Sequence, residues 1–233
     1  MSSRDLILGR VRRALTDVRD DARGGVRDDA RGDALADGVT YSHDSAIERG
    51  YLREHGDRTT DQTVELLAEN LADYRAIVHR AEAGRLPELL RRLLAERGSR
   101  SVLVPPALPP GWLPAEGPDR VEDLATHTAR ELDEVDSVVT GCAVAVAETG
   151  TIVLDGGPDQ GRRRITLVPD HHICVVRVPD QVVASVPLAL ERLDPARPLT
   201  WISGPSATSD IELDRVEGVH GPRRLEVVLV SGV

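Results

Sequence analysis

At 233 residues, with a net charge of −10 and a pI near 5.2, the chain is long enough for a sizeable core and too acidic to favour nucleic acid or an anionic membrane as partner. Two cysteines, Cys142 and Cys174, cannot supply the four thiolates of an iron–sulfur cluster or a Cys-rich zinc site. All basic residues are arginine, so chemistry through a lysine Schiff base is excluded.

In chain order, Leu6, Ile7, Val11, Leu15 and Val18 keep helical spacing among Arg and Asp, which predicts an amphipathic helix over residues 1–18. Residues 19–58 read as a polar linker. A duplication begins at the junction, Val18-Arg-Asp-Asp-Ala-Arg-Gly24 recurring as Val26-Arg-Asp-Asp-Ala-Arg-Gly32, too short and too polar for a solenoid. An arm that folds on a partner is the alternative. No apolar run is long enough to span a bilayer, and Met-Ser-Ser-Arg-Asp does not open a secretory signal. The expectation is a soluble, cytoplasmic protein.

The domain proper is expected over residues 59–233. A helix from Thr63 to Leu71 precedes a strand near Arg75–His79, then a Leu-rich helix from Leu86 to Arg97. Ser101–Val104 is a short strand, the Pro-rich stretch to Pro118 a loop, and Val121–Glu131 a helix. Ala143–Ala147 and Thr151–Leu154 read as strands broken by Glu148-Thr-Gly150, followed by strands at Ile165–Val168 and His172–Val176. A helix over Gln181–Leu193, a strand ending at Ile202 and a last strand over Leu225–Val230 complete the pattern. Such alternation predicts an α/β fold, with a mostly parallel or mixed central sheet and helices on both faces. No Gly-x-Gly-x-x-Gly, P-loop or Gly-x-Ser-x-Gly motif is present.

Four constellations could carry chemistry. Glu148 closes an apolar strand; partial burial would raise its pKa and suit it to acid–base or nucleophilic work, and a solvated hairpin turn is the alternative. Arg162-Arg163-Arg164 could fork a carboxylate or phosphate, or pair with surface acids. His171 and His172 are adjacent on a strand, point to opposite faces and do not readily chelate one metal, so a structural role is expected. The segment from Ser203 to Pro222 gathers Ser206, Thr208, Ser209 and Asp210 where Ser209 and Glu212 have capping-box spacing, with His220 between glycines. An anion at a strand's C-terminal end and a helix start would suit it.

Ala145-Val-Ala-Glu-Thr-Gly-Thr151, Leu167-Val-Pro-Asp-His-His-Ile173, and Gly204-Pro-Ser-Ala-Thr-Ser-Asp-Ile-Glu212 with Gly218-Val-His-Gly-Pro222 together resemble the LUD-domain family. The resemblance covers roughly residues 60–233, and the helix over Arg4–Leu15 also resembles the start of such proteins. The family form carries an Arg-Thr or similar pair where this chain has Ala207-Thr208. The resemblance implies a fold like that of the ribose-phosphate isomerase, sugar-phosphate deaminase and CoA-transferase superfamily. It further implies a role in oxidising L-lactate to pyruvate beside two iron–sulfur partner proteins, which would hold the redox cofactors, with none in this chain. By analogy with CoA-transferases, Glu148 is the counterpart of a strand-end nucleophile. The expected ligand is a small carboxylate or phosphate, held by Thr149, Gly150, Thr151, Arg163, Arg164, Ser206, Thr208, Ser209, Asp210 and His220, with no metal. A stand-alone isomerase or transferase and a non-catalytic scaffold are the alternatives.

Overall fold

A computed structural model describes residues 52–208, 216–217 and 221–232 of the chain. The expected helix over residues 1–18 and most of the expected linker lie outside the described residues, as do Ser209, Asp210 and His220. Residues 52–58 form no helix or strand and are exposed.

Helix α1 (Thr60–Asp73) starts at a reciprocal capping box: Thr59 Oγ1 accepts from Gln62 N, and Gln62 Oε1 accepts from Thr59 N, satisfying two N–H groups that a helix start leaves bare. Its Val64, Leu67 and Leu71 recur every three to four residues and are buried. Strand β1 (Ile77–Glu82) follows, then α2 (Leu86–Arg97), which buries five leucines and stops at Gly98 in the left-handed conformation, φ 72°. The remaining strands of the principal sheet are β2 (Ser101–Val104), β3 (Asp119–Glu122), β4 (Ser137–Thr140), β7 (His171–Arg177) and β12 (Arg224–Ser231). They pair in the order β1-β12-β7-β4-β2-β3, every pair parallel.

The two-residue period of a strand divides the core. Ile173, Val175, Val228 and Val230 meet the leucines of α2 on one face. Cys174, Val176, Leu225, Val227 and Leu229 meet α1 on the other. On the α1 side lies a second sheet, ordered β8-β5-β6-β9, made of β5 (Val144–Val146), β6 (Thr151–Leu154), β8 (Val182–Val183) and β9 (Thr200–Ile202). Ala145, Ile152 and Leu154 belong to the α1 cluster, whereas Val144, Val146 and Val153 pack with residues of a short outer helix, α4 (Val186–Leu190). The expected α/β architecture, a parallel sheet covered by helices on both faces, is what the chain forms. A separate two-stranded ladder joins β10 (Ala207–Thr208) to β11 (Val216–Glu217).

Three expected elements differ. The helix expected over Val121–Glu131 is an edge strand plus a five-residue helix, α3 (Ala129–Asp133), because Val121 pairs beside Leu103 and the capping box of Thr128 and Glu131 delays the helix start. The strand expected at Ile165–Val168 is a 3-10 turn, Arg163–Thr166; Ile165 is an anchor sunk among Leu103, Leu132 and Val138 rather than one member of a ladder. The long helix expected over Gln181–Leu193 is broken because Val182 and Val183 extend beside β5, and Pro187 is admitted only in the first turn of the helix that Ser185 then caps. Strand β4, buried on both faces, had no counterpart among the expected elements.

Candidate functional site

The hairpin between β5 and β6 turns at residues 147–150 and sits on the end of α1. Asn70 Nδ2 donates to the Ala147 carbonyl at 2.7 Å. A Cβ on Gly150, at φ 54°, would lie 2.7 Å from the Asn70 carbonyl carbon, so this close approach requires glycine. From the hairpin a chain of hydroxyls runs outward: Thr149 Oγ1 lies 2.8 Å from Thr151 Oγ1, itself 2.8 Å from Ser203 Oγ. Glu148 points elsewhere. Its Oε1 accepts from the His55 backbone N–H at 2.9 Å, its Oε2 lies 3.1 Å from His55 Nδ1, and Arg58 approaches at 3.5 Å. Burial does push this carboxyl upward as expected, but the His55 hydrogen bonds and the charges of His55 and Arg58 outweigh it, leaving the pKa lowered. The raised pKa expected for Glu148 is therefore corrected: the group is an ionised carboxylate and a poor general acid near neutrality.

Beyond Ser203 the chain lines a cavity of about 400 Å³, together with Arg163 and Thr166 of the 3-10 turn, Ser206, and His172 near the start of β7. Ser206 is fixed by its backbone N–H, which donates to Pro222 O at 2.8 Å. Leu225, second in β12, forms part of the floor. The cavity thus opens at the N-terminal edge of the parallel sheet, beside β9. The segment that lines it follows the C-terminal end of a strand, β9, but β9 belongs to the small sheet, and the cavity lies where the strands of the parallel sheet begin.

Among the charged side chains lining this cavity, Arg163 stands alone in the described residues. Its neighbours are already paired: Arg162 grips Asp123, and Arg197 Nη1 donates to Asp155 at 2.6 Å. Arg163 makes no ion pair among the described residues and is exposed. Arg164 lies in the same turn, does not line the cavity, and its carbonyl accepts from Leu167 and Val168. Of the residues singled out from sequence, the cavity brings Arg163 and Ser206 together. Thr149, Gly150 and Thr151 stand behind Ser203, Glu148 is outside, and Thr208 pairs with Val216 in the two-stranded ladder.

His172, for which a structural role was expected, also lines the cavity. It is fully buried; its Nε2 lies 2.8 Å from Thr140 Oγ1, and its Nδ1 has no hydrogen-bond partner. Burial, and secondarily His171, push its pKa down to about 3, so the ring is neutral at pH 7. The adjacent histidines do face opposite ways, but which face meets a cavity is set by the second sheet, not by spacing. A stability consequence follows. The unfolded chain takes up a proton below the ordinary value of 6.5 while the folded chain does not until about 3. Stability from this group is therefore complete above 6.5 and is lost as pH falls across that interval, at up to about 1.4 kcal/mol per pH unit. Denaturant unfolding of wild type and His172→Leu over this range checks it: the variant should show a flatter acid limb, and an unchanged slope would contradict the assignment.

On the opposite face, His79 Nε2 lies 2.6 Å from Glu226 Oε2 and His171 Nε2 3.2 Å from Glu226 Oε1, where Arg224 Nε also donates at 2.8 Å. His171 Nδ1 continues to Ser137 Oγ at 2.8 Å, and Ser137 to Ser99 at 2.6 Å. This network was not legible from sequence; its members come from four strands and the turn after α2. Among the described residues no cluster of three metal-ligating side chains occurs, and no helix is long and apolar enough to cross a membrane.

Fold and cavity together define a layered α/β protein with an open, arginine-bearing pocket at the leading edge of a parallel sheet. Residues 64–230 match the LUD domain, and the chain belongs to the LUD-domain family. It is 49% identical over 167 residues to lactate utilization protein C of Deinococcus radiodurans, covering 70% of this chain and 77% of that protein. It is 33% identical over 199 residues to lactate utilization protein C of an Exiguobacterium species, covering 76% and 86%. A crystal structure of a DUF162 family protein from D. radiodurans superposes with a TM-score of 0.65 at 40% identity, covering 76% of this chain and all of that one.

Proposed function

We propose that the protein works in lactate utilisation, as a subunit that binds a small carboxylate while redox chemistry is carried by iron–sulfur partner proteins in the cytoplasm. The observation that carries this reading is the 49% identity to a relative named lactate utilization protein C, across 77% of that relative. The cavity supports it: one arginine, hydroxyls of Ser203, Ser206 and Thr166, and an apolar floor suit a short monocarboxylate. The cysteine count supports placing iron–sulfur clusters elsewhere, since Cys142 and Cys174 are both buried. Transferase chemistry at Glu148 is the weaker reading, because both of its oxygens are engaged by His55 and Arg58 away from the cavity.

Deleting the gene in its source organism should abolish growth on L-lactate as sole carbon source and spare growth on glucose. Wild type should restore that growth and Arg163→Gln should restore it poorly. Affinity capture of the tagged protein from lactate-grown cells should retain Cys-rich iron–sulfur proteins. Normal growth of the deletion strain on L-lactate would overturn the reading.

A further inference from the structure

The buried, unpartnered Nδ1 of His172 calls for an explanation. A neutral nitrogen left without a partner inside a protein is destabilising, and such groups are rare in folded proteins. Its neighbours on the same face of β7, Cys174 and Val176, belong to an apolar core cluster. Its other nitrogen is anchored on Thr140, which fixes the ring and does not line the cavity, whereas His172 itself does. The arrangement is a rigid ring, with one nitrogen held and one unused, in the wall of a pocket whose charged group is Arg163.

We propose that His172 Nδ1 hydrogen-bonds the α-oxygen of a 2-hydroxy monocarboxylate whose carboxylate is held by Arg163. This rests on the carboxylate-binding reading of the cavity and adds to it the group that distinguishes a 2-hydroxy acid from a plain one. The chemistry selects the ligand class. A neutral imidazole contributes one hydrogen bond and no charge, so it does not compete with Arg163 for the carboxylate. A hydroxyl can both donate and accept, so it satisfies Nδ1 whichever ring nitrogen carries the proton. One cation matches one carboxylate, not a dianion. Leu199, Ile202 and Leu225 in the same wall leave room for a short alkyl group and offer it no polar partner.

The test is titration of the full chain with L-lactate and with propionate, which has the same charge and carbon count and lacks the α-oxygen, followed by NMR on ¹⁵N-histidine-labelled protein. Wild type should bind L-lactate about tenfold more tightly than propionate, the worth of one well-formed hydrogen bond in a desolvated site. His172→Leu should lower L-lactate affinity to the propionate level and leave propionate unchanged. Arg163→Gln should weaken both acids at least tenfold. In wild type the Nδ1 resonance of His172 should move on adding L-lactate and stay on adding propionate, a readout that survives if the variant fails to fold. Equal affinity for the two acids, with both weakened by Arg163→Gln, would overturn the role of His172 and leave the carboxylate pocket standing. No binding of either acid would overturn both.

Discussion

Glu226→Gln should lower the unfolding free energy by about 3–5 kcal/mol, the usual cost of removing one member of a buried charged network. The carboxylate is 1% exposed and accepts from His79, His171 and Arg224. An amide of the same shape has one acceptor oxygen where three donors converge, and its NH₂ would face another donor. Burial raises the pKa of this carboxyl, but the hydrogen bonds from His171, His79 and Arg224 outweigh that and hold it far below the ordinary 4.5. The sign follows: the folded pKa is depressed, so the network's stability is complete above 4.5 and is lost as pH falls below it. Urea denaturation at neutral pH and in acid checks both parts. The variant should unfold at markedly lower urea near neutrality and lose less than wild type on acidification; a midpoint within experimental error of wild type would refute the network's energetic role. This limb begins lower than that of His172, which starts at 6.5, so the two single variants separate them.

How much of this was legible in the sequence depended on how local each cause is. Helix α2 and strands β2 and β6 were readable to the residue, because leucine periodicity, a β-branched run and flanking Gly or Pro are written within each segment. The alternation of elements carried the fold class. Elements whose state depends on a distant partner were misread or missed. Val182-Val183 extends because β5 is beside it, and Ile165 is apolar because a gap between β2, β4 and α3 needs filling. The site divides in the same way. Arg163 and Ser206 could be nominated from residue type and motif, and they do share a cavity. His172 stood out only as a structural residue, since its unused nitrogen is a property of the packing between two sheets. Glu148 was found as a strand-end acid, but its lowered pKa comes from His55 and Arg58, about ninety residues earlier, which no local pattern connects to it.

The second large effect concerns the joint on which the cavity wall depends. Gly204 has φ +82°, and a Cβ there would fall 2.2 Å from the Tyr74 carbonyl oxygen. That oxygen belongs to the residue capping α1 and is backbone, so no rotamer change relieves the collision. Gly204→Ala therefore combines a left-handed conformation, roughly 1–2 kcal/mol for a residue with a side chain, with overpacking worth a further 1–3 kcal/mol. A loss of about 3 kcal/mol is expected. The strain is placed between Ser203, tied to Thr151, and Ser206, tied to Pro222. Relief by moving the segment would shift those hydroxyls from the cavity, so any variant protein that folds should also bind L-lactate at least tenfold more weakly. Gly221→Ala is the control: it also has positive φ, 151°, but its Cβ would come no closer than 3.6 Å, to Ser206 Cβ, so backbone strain without collision should cost less. If the two variants lost stability equally, close packing of Gly204 on α1 would not be what fixes the cavity wall.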